Sequence, residues 1–332
     1  MKTKGRVRAI LINAGNANCC TGARGRAAAA TCAKLVAKGI GCTPAEVLLA
    51  STGIIGEQLP MDKMSAGIGN IIPLLDSRKP ADRQFADAIR TLDTYPKECG
   101  VTVRIGGKNI TIASAAKGIG MCAPNMATVL VTVLTDAVVT APVLRTLLRK
   151  TVAATLNRVS VDSDTSTNDT CFLVAGGAAG NRVIDSATSK DAQAFGAALH
   201  AVLYRISEML AADGEGAEKF MRVRVRGART GKDADLVARA ICESPLVKTA
   251  VCGADPNWGR IMMAAGKCGA AVREEKSTVR ISGITLFENG EPTAFNPKKV
   301  NTVMKAKEVV VEIDLGLGRH EAEMLGCDLT HG

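Results

Sequence analysis

Short apolar runs alternate along the chain with longer segments whose apolar residues recur at helical spacing. The predicted strands are Val7–Asn13, Val101–Ile105, Ile110–Ala113, Thr128–Leu134, Cys171–Ala175, Met221–Arg226, Val247–Cys252 and Val309–Leu315. The predicted helices are Ala23–Lys38, a segment from about Asp62, Ala81–Leu92, Ala141–Leu156, Ala192–Ala211, Asp233–Cys242 and Trp258–Ala265. Strands mixed with helices in this way pack as layers. The pattern therefore predicts a layered α/β fold.

The composition is that of a globular protein with a sizeable core. The chain has 332 residues, of which 47% are hydrophobic and 22% charged, and this length allows one large or two medium domains. It contains no apolar run long enough to span a membrane. The basic start is followed by an apolar run of only Ala9–Ile12, which is too short for a signal peptide. We therefore expect a cytoplasmic protein with no membrane partner.

The cysteines argue against a disulfide scaffold. There are eleven of them, an odd number, and no two form a CxxC pair. Cys19 and Cys20 are adjacent, whereas Cys171, Cys242 and Cys252 stand singly in apolar runs. We predict reduced thiols, buried as small hydrophobic side chains in a cytoplasmic protein.

The positive charge does not predict a nucleic-acid partner. The formal net charge is +10, but Lys and Arg are scattered and aromatic residues make up only 3% of the chain. Binding of single strands needs aromatic faces on which bases stack. A basic surface also favours small anionic substrates such as amino-acid carboxylates. We expect the second kind of partner.

Histidine is scarce, which limits the possible chemistry. Only His200, His320 and His331 are present, and there is no HExxH motif, no Cys/His cluster and no GxSxG motif. Zinc sites need clustered ligands, and serine or cysteine hydrolases usually need a histidine base. The acidic segment DSDTSTND lacks the glycine and the terminal glutamate of an EF-hand. We predict no metal site and, if the protein is an enzyme, a base other than histidine.

Four polar segments each follow a strand-like run. They are Asn13–Asn18, Ser51–Gly53, Asp162–Asp169 and Asp255–Arg260. Loops that leave strands are where sheet folds place ligands. The same residue types also cap helices and form turns. For any one segment taken alone, both interpretations remain open.

The stretch 118–137, GIGMCAPNMATVLVTVLTDA, leads from a rigid polar turn into a β-branched strand that opens at Thr128. A threonine in that place is ordinarily a packing choice. However, the segment KGIGMCAPNMAT at 117–128 resembles the cleavage-site signature of the ornithine acetyltransferase (glutamate N-acetyltransferase) family of arginine biosynthesis. The resemblance makes Thr128 the residue to explain.

Other segments resemble motifs of the same family in the same order. They are NAGNANCCTG at 13–22, STGIIGEQLP at 51–60, SVDSDTSTND at 160–169, DGEGA at 213–217, VKTAVCGADPNWGR at 247–260 and GCDLT at 326–330. The resemblance runs nearly end to end and implies a DmpA/ornithine-acetyltransferase-like fold, with mixed sheets sandwiched by helices. Ser163 stands where the family commonly has glycine. Family segments before the Asn-rich motif and after GCDLTHG are expected to be missing.

The resemblance implies that the precursor cuts itself between Ala127 and Thr128. The products would be an α chain, 1–127, and a β chain, 128–332, that begins with the nucleophile. A new N-terminal threonine carries its hydroxyl beside an α-amine, which titrates at about 7.7–8.0 and can act as the base. The scarcity of histidine would then be explained.

The resemblance also implies the roles of individual residues. Thr128 would take the acetyl group from N-acetylornithine and pass it to glutamate in ping-pong order, with no cofactor. Thr52 and Gly53 match the oxyanion-hole pair of the family. Thr94, Lys117 and Glu215 match its substrate-binding positions, where Lys117 suits a carboxylate and Glu215 an ammonium group.

Further consequences stay open at the level of the sequence. The resemblance implies an assembly of two α and two β chains, and no motif decides whether acetyl-CoA also serves as an acetyl donor. One alternative is an N-terminal-threonine hydrolase or aminopeptidase on the same fold, which would release free amine without acetylglutamate. The other is an inactive truncated remnant that does not cut itself.

Overall fold

The computed structural model describes residues 5–77, 80–123 and 129–330. The strands in this part of the chain are β1 (Ala9–Asn16), β2 (Val47–Ile54), β3 (Lys97–Ile105), β4 (Lys108–Lys117), β5 (Leu130–Thr135), β6 (Val159–Ser160), β7 (Thr170–Ala175), β8 (Phe220–Ala228), β9 (Thr278–Ile281), β10 (Ile284–Glu288), β11 (Glu291–Pro292), β12 (Glu308–Asp314) and β13 (His320–Cys327). The helices are α1 (Gly22–Ile40), α2 (Met61–Ile71), α3 (Ala81–Ala88), α4 (Ala141–Ala154), α5 (Lys190–Ala212), α6 (Gly231–Cys242), α7 (Pro245–Cys252), α8 (Trp258–Gly266) and α9 (Pro297–Met304). The predicted layered α/β class is confirmed.

The chain forms two compact units, each assembled from three segments. The first comprises 1–118, 126–155 and 165–206, and the second comprises 119–125, 156–164 and 207–332. The division of the chain into 1–127 and 128–332 concerns cleavage rather than compactness, and it stays a prediction.

The first unit contains two sheets among its described residues. In one, β1 pairs in parallel with β2. The other has the order β3-β4-β5-β7, in which β5 lies antiparallel to β4 and parallel to β7. Helix α1 buries Cys32 and Val36 in a core shared with Val47 of β2 and Ile68 of α2. This packing holds the β1–β2 pair against α1 and α2.

The second unit is built around a mixed sheet with the order β11-β10-β9-β12-β8-β13-β6. Val223 and Val225 alternate along β8 and face the core, as period-2 side chains do. Val237 and Ile241 come from α6, where a four-residue spacing places them on one helix face. Apolar burial at these two periods explains why sheet and helix pack as layers.

Several boundaries differ from the predictions. The segment Val247–Cys252 was predicted to be a strand, and this was wrong, because it lies in helix α7. Ser244 caps that helix by accepting a hydrogen bond from the Val247 N–H, and Pro245 occupies its first turn. Ser51–Ile54 belongs to β2 rather than to a loop, and Asn13–Asn16 belongs to β1.

Three smaller findings complete the fold. All eleven cysteines are free thiols, and Cys32, Cys122, Cys242 and Cys327 are buried, whereas Cys20 is exposed. None of the described helices is long and apolar enough to cross a membrane. Within the described residues, no group of three or more His, Cys, Asp or Glu side chains could hold a metal ion.

Candidate active site

The parallel pairing of β1 and β2 brings two of the four polar segments side by side. Asn13 pairs with Ser51, Ala14 with Thr52 and Gly15 with Gly53. The Ser51 hydroxyl donates to the Asn13 side-chain oxygen over 2.7 Å. Both motifs therefore end at the same edge, where parallel sheets characteristically bind ligands.

Gly53 has a conformation and a neighbourhood that only glycine fits. Its φ is +131°, and a Cβ atom built on it would lie 2.2 Å from the Gly15 carbonyl carbon. Real Cβ atoms essentially never approach backbone that closely, so a side chain would force the strands apart. Because Gly15 and Gly53 have no side chains, the two strands can approach closely. This close packing fixes the backbone beside Thr52.

Lys117 and Thr52, both predicted site residues, are in direct contact. The Lys117 Nζ donates to Thr52 Oγ1 over 3.1 Å, and both side chains are buried. Lys117 is the last residue of β4, and its partner in the antiparallel ladder is Leu130 of β5. The structure thus places a buried ammonium group beside the hydroxyl of Thr52 and opposite the strand that follows Thr128.

A buried ion pair connects the loop of Thr94 to the end of β4. Asp93 Oδ1 accepts from Lys97 Nζ and from the Gly118 N–H, each over 2.7 Å. Burial acts to raise the pKa of Asp93, but Lys97 and the Gly118 N–H outweigh it and lower the pKa. Thr94 itself is exposed. Asp93 therefore holds the Thr94 loop next to the residue that follows Lys117.

The acidic segment contributes a third set of contacts in the first unit. Asn168 Nδ2 donates to the Ala17 carbonyl over 2.6 Å and to the Ser51 carbonyl over 3.0 Å. Thr167 Oγ1 lies 3.0 Å from Cys19 Sγ. One amide side chain thus joins the acidic segment to the residue after β1 and to Ser51 within β2.

Ala127 and Thr128, the predicted cleavage residues, lie outside the described residues. Two aspartates of the acidic segment bind the described chain on either side of 124–128. Asp162 Oδ1 accepts from the Cys122 N–H over 2.8 Å, and Asp169 Oδ1 accepts from the Val129 N–H over 3.1 Å. Asp162 therefore holds Cys122 within the second unit, and Asp169 holds Val129 within the first.

Asp169 has unusual electrostatics for a carboxyl group. Burial raises its pKa to about 7, although hydrogen bonds from the Val129 and Ser166 N–H groups act to lower it. Its Oδ2 atom is buried and has no hydrogen-bond partner among the described residues. A carboxyl group that titrates near neutral pH next to Val129 can take up or release a proton under physiological conditions.

Ser163, in the same segment, has a φ of +68°. Left-handed backbone of this kind favours glycine and is uncommon for serine. This explains physically why glycine suits the position.

Glu215 lies in the second unit, on the loop between α5 and β8. Its backbone N–H donates to the Ile119 carbonyl over 2.8 Å, and its side chain is exposed. A Cβ atom on Gly120 would lie 2.3 Å from Glu215 Oε2, so the carboxylate occupies the space that a side chain at Gly120 would fill. Glu215 is thus held against the start of the predicted cleavage motif.

The fourth polar segment, Asp255–Arg260, has a structural role. Asn257 caps α8 by accepting from the Arg260 N–H over 3.2 Å, and the Arg260 guanidinium donates to the Leu246 carbonyl over 2.8 Å. These are the capping and turn contacts that such residues commonly make.

Sequence reasoning missed the residues whose hydrogen bonds hold the predicted site residues and their neighbours in place. No motif singled out Asp93 and Lys97, which lie four positions apart and are both buried. The sequence analysis singled out the segment that contains Asp162 and Asp169, but it assigned no role to either residue. The only available signal was the proximity of Asp93 to Thr94 in the sequence.

Comparison with known proteins identifies the family. The model of the ArgJ family matches residues 1–332. The chain belongs to the ArgJ family. It is 45% identical to the arginine biosynthesis bifunctional protein ArgJ of Symbiobacterium thermophilum over 98% of this chain and 81% of that protein. It is also 45% identical to the protein of the same name from Nitratidesulfovibrio vulgaris, over 98% of this chain and 81% of that one.

A solved member of the family shares the fold. The superposition on the crystal structure of the ArgJ protein from Bacillus halodurans covers 60% of this chain and 93% of that protein's chain, with a TM-score of 0.58 and 36% sequence identity. The resemblance to the ornithine acetyltransferase family of arginine biosynthesis and the expected layered α/β fold are both confirmed. The roles of the individual site residues remain predictions.

Replacement of Gly53 by alanine tests the close approach of β1 and β2. We expect Gly53→Ala to lower the free energy of unfolding by about 3 kcal/mol or more, because it combines a positive φ with a backbone clash. Gly56→Ala is the matched control, since Gly56 also has a positive φ, +88°, but has open space around its Cβ position. Urea unfolding measures both, and equal losses would contradict the account.

Replacement of Asp169 by asparagine tests its raised pKa. Between the ordinary value of 3.8 and about 7, the unfolded chain loses this proton while the folded chain keeps it, so the wild type loses stability as the pH rises through that window. Asp169→Asn has no such loss. The difference in unfolding free energy, variant minus wild type, should therefore rise across the window and level off above it. The control is Asp164→Asn, at an exposed aspartate of the same segment; an equal rise there would contradict the assignment.

Proposed function

We propose that this ArgJ-family chain is a self-cleaving N-terminal-threonine acetyltransferase that moves the acetyl group of N2-acetylornithine to glutamate. The observation that carries the proposal is the hydrogen bond from the Val129 N–H to Asp169, a carboxyl group whose pKa burial raises to about 7. Self-cleavage needs a group beside the nucleophile that can relay a proton, and a carboxyl group bonded to the residue after Thr128 supports that requirement.

The cleavage step rearranges the bond between Ala127 and Thr128. Thr128 Oγ adds to the Ala127 carbonyl carbon, the peptide C–N bond breaks, and the Thr128 nitrogen gains the proton that Oγ gives up. Water then hydrolyses the ester, leaving a carboxylate on Ala127 and a free amine and hydroxyl on Thr128. Before cleavage Thr128 has no free α-amine, so another group must relay the proton. Asp169, which binds the next residue along the chain and titrates near pH 7, suits that task.

The transfer reaction uses the new amine as the base. The α-amine accepts the Oγ proton as Oγ adds to the acetyl carbonyl carbon, and ornithine leaves with that proton on its amino group. Glutamate then attacks the acetyl ester through its amino group, returns a proton to Oγ and departs as N-acetylglutamate. The acetyl-enzyme on Thr128 connects the two halves.

Thr52 and Gly53 serve as the oxyanion hole. Thr52 Oγ1 accepts a hydrogen bond from Lys117, so the hydroxyl proton of Thr52 points elsewhere and can be donated to an oxyanion. The positive charge of Lys117 lies behind that donor, in a buried place where charges interact strongly. A single oxyanion donor contributes about 2.7–4 kcal/mol in other enzymes.

The remaining roles concern the substrate and the assembly. Lys117 binds the substrate carboxylate, Glu215 binds an ammonium group, and Thr94 is a further substrate-binding residue. The α chain, 1–127, and the β chain, 128–332, stay associated after cleavage as a heterotetramer of two of each, in the cytoplasm.

The test is a denaturing gel with intact masses of the wild type, Thr128→Ala and Thr128→Ser. Wild type should convert from 34.5 kDa to fragments of about 13 and 21 kDa, in proportion to the cleavage position, because its hydroxyl attacks the preceding carbonyl. Thr128→Ala should stay whole. Thr128→Ser keeps a hydroxyl and should still be cut.

Two outcomes would contradict the proposal. A folded wild type that remains whole would exclude self-cleavage. A cleaved wild type that releases ornithine from N-acetylornithine without forming N-acetylglutamate would be a hydrolase.

A further inference from the structure

The loop that carries Glu215 is held by the segment Cys327–Thr330, which no part of the proposed mechanism uses. Thr330 Oγ1 donates to the Gly216 carbonyl over 2.6 Å. A Cβ atom on Gly214 would lie 2.8 Å from Cys327 Sγ, so the two chain segments are in close contact. The GCDLT motif and the DGEGA motif, both singled out in the sequence, therefore meet in the second unit.

Asp328 is the central contact between the two segments. Its Oδ1 accepts from the Glu218 N–H over 2.9 Å and from the Lys219 N–H over 3.0 Å, and its own N–H donates to the Lys219 carbonyl. The residue is only 2% exposed. Two consecutive N–H groups that share one carboxylate oxygen form a strong, charge-assisted anchor in a buried place.

The surroundings of Asp328 are themselves fixed. Buried Lys248 donates to the carbonyl of Cys327 over 2.5 Å, and Lys219 Nζ donates to the Val251 and Cys252 carbonyls at the end of α7, each over 2.8 Å. Lysine at a helix C-terminus satisfies carbonyls that lack helical partners. Asp328 thus connects the Glu215 loop to a rigid framework of β13 and α7.

Glu215 lies between two anchors, the Ile119 carbonyl and the Asp328 carboxylate. On one side the Glu215 N–H binds the Ile119 carbonyl, and three residues further along the loop Asp328 holds Glu218. The Glu215 side chain is exposed, so its position is set by its backbone rather than by side-chain packing. Loss of the Asp328 carboxylate would remove two of the hydrogen bonds that hold this loop, and the bond from Thr330 to Gly216 would remain.

We propose that Asp328 is a positioning residue for substrate binding, which acts by fixing the loop that presents the Glu215 carboxylate to the substrate ammonium group. This inference rests on the proposed function. It predicts that Asp328 affects the binding of N-acetylornithine and leaves the acetyl-transfer chemistry at Thr128 nearly unchanged.

The test compares steady-state kinetics of the full cleaved enzyme for the wild type and Asp328→Ala. We expect the KM for N-acetylornithine to rise about tenfold while kcat changes less than about twofold, because the lost hydrogen bonds loosen a binding group and not the nucleophile. Asp328→Asn keeps an oxygen acceptor of the same shape and should lie between the two. It also serves if the alanine variant does not fold.

The matched control is Asp314→Ala. Asp314 Oδ1 likewise accepts a backbone N–H, that of Gly316, over 3.0 Å in the same unit. A general loss of stability would affect both alanine variants, whereas a positioning role raises KM only for Asp328→Ala. A double-mutant cycle adds the decisive comparison: in a Glu215→Gln background, Asp328→Ala should raise KM no further.

Each outcome supports or overturns the inference. Equal KM values for the Asp328 and Asp314 variants overturn it, and so does a tenfold rise that persists in the Glu215→Gln background. A wild type that does not transfer acetyl from N-acetylornithine overturns the proposed function, and the inference with it. That result is seen in the wild type alone and is therefore distinct from a failure at Asp328.

Discussion

The close parallel pairing of β1 and β2 is the constraint on which the rest of the site depends. Gly15 and Gly53 lie opposite each other, and the strands approach so closely that a single Cβ atom at Gly53 would overlap the backbone of Gly15. This contact fixes the peptide next to Thr52, and Thr52 in turn receives the hydrogen bond from Lys117. The oxyanion hole that we propose at Thr52 and Gly53 requires donors that are in place before the charge develops. The close approach that the two glycines permit would meet that requirement.

Polar side chains then attach the other chain segments to the core of the site. Asn168 donates to one carbonyl just after β1 and to another within β2. Asp93 holds the loop of Thr94, and Asp169 holds the first residue after the predicted nucleophile. Side-chain hydrogen bonds in buried surroundings are strong and directional. The carboxyl groups among these side chains can also carry charge and exchange protons, which backbone groups in paired strands do not. Asp169, whose pKa burial raises to about 7, is the anchor that we propose as the proton relay in cleavage.

The sequence predicted the fold class because burial periods of two and of about 3.6 are visible in single elements, such as β8 and α6. It failed at Val247–Cys252, where a short apolar run fits strand and helix equally well and Ser244 and Pro245 decide for the helix. The motifs singled out Thr52 and Lys117, whose side chains are in contact, but the roles of these residues stay predictions. The buried pair of Asp93 and Lys97 was not predictable, because it depends on which strands become neighbours.

Intact-mass spectrometry of the acetyl-enzyme shows whether an acetyl group passes through Thr128. The cleaved enzyme is incubated with N-acetylornithine in the absence of glutamate and then quenched in acid. We expect one added acetyl group on the fragment that begins at Thr128, and loss of that group as N-acetylglutamate once glutamate is supplied. Turnover of N-acetylornithine to N-acetylglutamate without any acetylated fragment, or acetylation confined to the fragment 1–127, would contradict it.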